Sequence, residues 1–308
     1  MKHSNLIKTF TITAMVLVLT TAIQGIAHAG DALNIKNPKV FKGENKIVIG
    51  QFNVSYALAD AKASNASSND GWTRSSSVLG VEVKGLNNEM LQKITDEVYA
   101  DFKEKLIANG YTIVDMDLTE GVSKYTAMVI KKYTMEGYPE NASLYRSSFN
   151  NKLHEITIPA TGFKVINPKF QNQLGLAGKE LGVKPVTMNY ILHVGYLQAS
   201  KNKSEGVFDQ SVWLSTGVKF LEGVQVYWSS GLDMYQTYKK AGQIKINEHI
   251  YKTTPVGTTE VVSNWNVGSR ASRKLELTVD PDKYYNDAIE VLKEANTRIV
   301  DAMVQNRE

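Results

Sequence analysis

Asp115 and Asp117 stand one residue apart at the end of an expected strand, where alternate residues share a face, so the two carboxylates could divide general acid and general base between them. Such a pair more often decorates a solvated strand edge. Asp280 and Asp282 have a plainer use in capping a helix. Beyond the first thirty residues the chain carries His154, His193 and His249, none in the HExxH spacing that sets two imidazoles on one helix face. Each reads as a strand or loop histidine rather than a metal ligand. No G-x-S-x-G elbow marks a serine nucleophile. Gly178-Lys179 resembles the end of a phosphate loop, but Gln173 replaces the first glycine and Glu180 the Ser/Thr that would hold magnesium, so a helix is expected there instead.

The richer set is aromatic. Trp213, Tyr227, Trp228, Tyr235 and Tyr238 crowd a strand-rich stretch, and those opposite the Val224/Val226 face must be covered by another part of the chain, another subunit or a lipid interface. They form the candidate interaction surface. No catalytic residue, cofactor or metal is assigned.

The chain of 308 residues opens like an export signal. Lys2 and Lys8 supply the positive start, Phe10 to Ile23 an apolar core, and Ala27-His28-Ala29 a small-x-small cleavage site, which makes residues 1–29 a signal peptide and Gly30 the mature start. That apolar core is shorter than the ~20 residues of a spanning helix, and no later stretch approaches that length, so no transmembrane helix is expected in the mature chain. There is no cysteine, which excludes disulfides, thiolate metal sites, a cysteine nucleophile and a lipidated cysteine. The net charge of +4 is mild and no dense Lys/Arg cluster is interleaved with aromatics, so nucleic acid is not an expected partner.

Two helices are legible from their ends. Asn87 can cap one whose apolar face is Met90, Leu91, Ile94, Val98, Phe102, Leu106 and Ile107, stopped by Asn109-Gly110; Asp280-Pro281 opens another with the stripe Tyr284, Ala288, Leu292, Ala295, Ile299 and Met303. Leu176 to Leu181 fits a short helix ended by Gly182. Strands are expected over Lys46–Val54, Tyr111–Val114 and, as a buried central strand, Met188–Leu197. Alternation over Phe208–Phe220 and again from Val224 predicts a hairpin turning at Leu221-Glu222-Gly223. Ala57 to Ser77, rich in Ala, Ser and Asn, reads as a loop with a short strand at Val78–Val83. Val122 to Lys132 is open between helix and strand, while Glu155–Ile158 and Phe163–Ile166 suggest a hairpin. Gln243–Tyr251, Glu260–Val267 and Lys274–Val279 suggest further strands.

In their order these pieces resemble the family built on the curli-secretion-channel (CsgG-like) and TolB amino-terminal fold. The matching segments are IVIGQF, MLQKITDEVYADFKEKLIANGYTIVD, LAGKELG, NYILHVGYL, VKFLEGVQVYW and YYNDAIEVLKEANTRIVDAM. The resemblance covers about half the chain beyond the signal, with residues 120–170 and 235–279 as insertions and no lipidated cysteine. It implies a protein that binds and assembles rather than catalyses.

The expected fold is therefore α/β (α+β): a single elaborated domain over 30–308, with a mostly antiparallel mixed sheet flanked by two long helices and β-rich insertions. The expected role is that of a non-enzymatic, exported, periplasmic protein, peripherally associated with the outer membrane, acting as an assembly, secretion or surface-organelle accessory. Its partners would be other envelope proteins or further copies of itself. The alternative is a periplasmic hydrolase or carbohydrate-binding protein using an aromatic-lined pocket with Asp115 and Asp117.

Overall fold

The computed structural model describes residues 32–67, 74–114, 143–146, 153–205, 212–267 and 270–308. Residues 1–29, expected to be a signal peptide, Asp115, Asp117 and Val122–Lys132 lie outside these residues. In chain order the elements are β1 (Leu33–Lys36), a 3-10 turn at Pro38–Val40, β2 (Lys46–Ala57), β3 (Ala59–Ser67), β4 (Arg74–Lys84), α1 (Asn88–Ala108), β5 (Thr112–Ile113), β6 (Ser143–Arg146) and β7 (Leu153–Pro159). A second 3-10 turn at Pro168–Gln173 leads into α2 (Leu174–Leu181), β8 (Lys184–Glu205), β9 (Val212–Val226), β10 (Gly231–Thr237), β11 (Lys240–Ile246), β12 (Ile250–Lys252), β13 (Gly257–Val267), β14 (Arg270–Val279) and α3 (Pro281–Arg307). The class is the mixed α/β expected from the sequence.

β8 is the organising strand. The main sheet runs β1-β11-β10-β8-β2-β7-β6, with β9 also pairing β8, β12 pairing β9 and β5 pairing β2. β8 runs parallel to β2 and antiparallel to β9 and β10. A second sheet, β13-β14-β4-β3, is antiparallel within its two hairpins and parallel where β14 meets β4.

Both long helices lie on one face of the main sheet. Phe52, Val54 and Tyr56 of β2, together with Met188, Tyr190 and Leu192 of β8, share the core with Leu91, Ile94, Val98 and Phe102 of α1 and with the whole expected stripe of α3. Polar groups pin this layer: the Tyr56 hydroxyl donates to the Leu91 carbonyl at 2.9 Å. Glu97 of α1 accepts from Lys293 of α3 at 2.8 Å and from the Tyr285 hydroxyl, contacts that lower its carboxyl pKa. The helix ends follow from their caps. Asn87 accepts from the Met90 amide, Asp280 accepts from the amides of Asp282 and Lys283, and Gly182 ends α2 at φ 62°. One position departs from the expected face, since Ile107 is exposed.

Three strand-level expectations are corrected. Ala57 to Ser77 is largely strand, because β3 and β4 form a hairpin whose small side chains, with Ser64 and Ser75 buried, allow close packing on the β8–β9 pair. The turn expected at Leu221-Glu222-Gly223 is an irregularity inside β9. The register passes from Val194↔Val224 to Tyr196↔Leu221, so two residues of β9 stand opposite Gly195 alone, at φ +85°. Gly223 is needed there because a Cβ would sit 2.0 Å from the Lys252 carbonyl oxygen. Phe163–Ile166 is no strand, and β7 pairs with β2 and β6 instead. Within residues 235–279, Ile244 and Ile246 of β11 belong to the main core, and β13 and β14 enter the second sheet.

Candidate functional site

The five aromatics proposed as one surface go to different places. Trp213 lies in β9 opposite Ser204. Tyr235, only 3% exposed, faces α2 in a smaller core with Leu174, Ala177, Val48, Ile166 and Val183, and burial pushes its hydroxyl pKa well up. It is therefore removed from the interaction surface. Alternation explains this: Leu232 and Met234 of β10 face the long helices, which turns Tyr235 to the opposite face, where α2 covers it. Tyr238 is exposed at the turn between β10 and β11. Tyr227 and Trp228 meet, with ring centroids 5.5 Å apart.

Around Tyr227 the fold assembles a cluster that no local spacing announced. The His193 ring, from β8, stacks on Tyr227 at 4.7 Å and 16°, and His249, just before β12, approaches the other residues of the cluster with its ring 5.1 Å from Tyr227. Asp60 of β3 sets Oδ2 3.9 Å from His193 Nδ1. These residues come from four separate stretches of chain, so the cluster joins the second sheet to the main one.

Its chemistry is limited by space. The hollow shared by Asp60 and His193 is about 10 Å³, room for one water at most. Two larger grooves meet at His249. One, of about 610 Å³, is lined by Lys105, Lys252, Glu290, Lys293 and Arg298 among others, and the second, of about 350 Å³, by Gly195, Leu221, Gln225 and Tyr251 among others. Tyr227, Trp228, Tyr235 and Tyr238 line neither groove. Among the described residues, no three His, Cys, Asp or Glu side chains come together as a metal site. His154 lies in β7, and Gly178-Lys179 lies within α2.

Both histidines of the cluster are held below their ordinary pKa of 6.5. For His193 burial is the main cause, opposed by Asp60 and reinforced by His249; for His249 burial alone suffices. Folded values below the unfolded one mean that the unfolded chain binds more protons in that window. The stabilisation by these groups is thus complete above pH 6.5 and is lost as pH falls below it through the lowered folded values. Melting temperatures measured from pH 7.5 down to 5 should fall, and His193→Phe, which retains a ring on Tyr227 without a titrating nitrogen, should flatten that fall. An identical pH slope in the variant would remove His193 from the account.

The other feature a partner could use is β13. Among the described residues it ends the second sheet, and Val261, Val262, Trp265 and Val267 are 52–59% exposed. The pairing registers also sort the charges of this sheet. Glu82, Glu276 and Glu260 lie in one row across β4, β14 and β13. Beyond that row, toward the β13–β14 turn, stand Lys274, Arg273 and Arg270 of β14 and Lys62 of β3; on that side the described residues of β13, β14 and β4 include no carboxylate, while β3 carries Asp60 next to the row. Sequence periodicity predicted a strand here but not that it would be an outer one.

No helix among the described residues is long and apolar enough to cross a membrane. No protein-family model, curated protein or solved structure matches the chain.

Proposed function

We propose that this protein is a non-enzymatic, exported component of a bacterial cell envelope that works as an assembly, secretion or surface-organelle accessory through protein–protein contacts. The observation that carries this reading is the exposed apolar run of β13, an outer strand of its sheet among the described residues, where an edge backbone and desolvatable side chains are offered together. Edge strands that must stay alone are ordinarily guarded by charge or proline, and Val261 to Val267 contains neither. The order of elements that resembles the CsgG-like fold supports the same class of role, as does the leader-like start of the sequence. The separation of buried Tyr235 and exposed Tyr238 from the Tyr227–Trp228 pair argues against an aromatic-lined carbohydrate pocket.

Cross-linking in intact cells followed by affinity capture tests this. The wild-type protein should be recovered in discrete cross-linked species, and Trp265→Lys, which places a charge at an exposed position, should reduce them while leaving the melting temperature unchanged. Recovery of the uncross-linked chain alone, or species that Trp265→Lys leaves untouched, would remove β13 from the role.

A further inference from the structure

We infer that β13 is the pairing edge for a second copy of this chain, in antiparallel register about a two-fold axis between Val261 and Val262. This rests on the protein-contact reading above and names the partner.

The argument comes from charge and register. In the second sheet the acidic row Glu82, Glu276, Glu260 lies on one side of Val261, and Lys274, Arg273 and Arg270 lie on the other. A second copy placed alongside in the same direction would set acidic row beside acidic row. Turned about a two-fold axis, each acidic row meets the cationic side of its neighbour, as an isologous contact requires. A strand segregated in this way is complementary to itself in one direction only.

The irregularity at Val262 makes the faces agree. Val261 pairs with Leu275, while Ser263 pairs with Lys274, so Val262 is the extra residue. Glu260 pairs with Glu276, two residues from Lys274 on β14, and therefore Glu260 and Ser263 point to the same side of the sheet. With the axis between Val261 and Val262, Glu260 of one copy lies against Ser263 of the other, and Lys274 of that copy is one strand further on. Two strand spacings are about 10 Å, a gap that a glutamate and a lysine span together. Lys274 bridges Glu82 at 2.8 Å within its own sheet while its side chain stays 40% exposed, so it can serve both carboxylates. In the same register Trp265 lies against Thr258, and the valines at the centre leave water together. The pairing would join two four-stranded sheets into one of eight.

The absence of cysteine from the chain allows a direct test. In this register the two copies of residue 262 have Cα atoms about 6 Å apart, within disulfide range, whereas the copies of residue 267 lie on the order of 35 Å apart. Mild oxidation of purified Val262→Cys should yield a disulfide dimer, and Val267→Cys should not. Light scattering supplies the second arm: Glu260→Lys and Lys274→Glu should each weaken self-association at least about tenfold, and an equimolar mixture of the two should associate as a heterodimer, because opposite charges then meet at both ends of the axis. Circular dichroism melting establishes that each variant is folded. The inference is overturned if wild type is monomeric at its highest soluble concentration, if the two cysteine variants cross-link alike, or if the mixture gains nothing over its components. A Val262→Cys chain that stays monomeric when pure yet cross-links to a different envelope protein in cells overturns self-pairing and leaves the accessory role standing.

Discussion

Leu292→Ala is expected to destabilise the protein by about 2–5 kcal/mol, the range for removing a buried leucine side chain from a core that closes only partly over the cavity. Leu292 is fully buried in the middle of α3, in a stripe with Tyr284, Ala288, Ala295, Ile299 and Met303 that is buried along its whole length. α3 follows the last strand of the second sheet directly and packs on α1 and the main sheet. A cavity at Leu292 therefore loosens the layer that joins these elements. At roughly 2–4 °C per kcal/mol, the melting temperature should drop on the order of 5–15 °C. An unchanged melting curve would show α3 to be a free tail, contrary to its burial.

The second large effect is expected at Asn296, a polar residue with no exposed surface in the same helix. Its Oδ1 accepts from the Tyr190 hydroxyl at 2.7 Å, and its Nδ2 donates to the Val98 carbonyl at 2.9 Å and to Asp101 Oδ2 at 2.7 Å. One side chain thus ties α3 to β8 and to α1. Asn296→Ala strands the buried Tyr190 hydroxyl at about 1–3 kcal/mol, empties the side chain's place in the core, and takes one donor from Asp101, which keeps Lys105. The total should reach about 2–5 kcal/mol in urea unfolding. Tyr190→Phe alone should cost about 1 kcal/mol, and in the Asn296→Ala background it should cost nothing or restore some stability, because it removes the stranded hydroxyl. Additive costs in that double-mutant cycle would show that the Tyr190–Asn296 bond carries no energy of its own.

The contrast between these helices and the strands explains what could be read from the chain alone. Asn87 and Asp280 satisfy amides two or three residues away, and the apolar spacing of α1 and α3 needs no knowledge of any partner. Gly182 ends α2 for an equally local reason. Strand assignments held where alternation or a long apolar run was strong, as in β2 and β8. They failed at Ala57–Ser67, whose composition suggests a loop, because what makes it a strand is β4 on one side and the β8–β9 pair beneath it. Gly223 was read as a turn residue, but its lack of a Cβ serves the close approach of the Lys252 carbonyl.

The functional features divide along the same line. Sequence established the class, the three principal helices, the missing cysteines and the lack of any marked catalytic spacing. It could not bring His193, His249, Tyr227 and Asp60 together, since their contacts depend on how two sheets are placed on each other. Nor could it tell that Tyr235 is covered by α2 while Trp265 is left in solvent, because alternation fixes which residues share a face but not what lies over it. A helix closes its hydrogen bonds within four residues and carries its own evidence. A strand closes them with segments far along the chain, and so the exposed edge at β13, with its acidic row on one side and its cations on the other, was decided only by the tertiary structure.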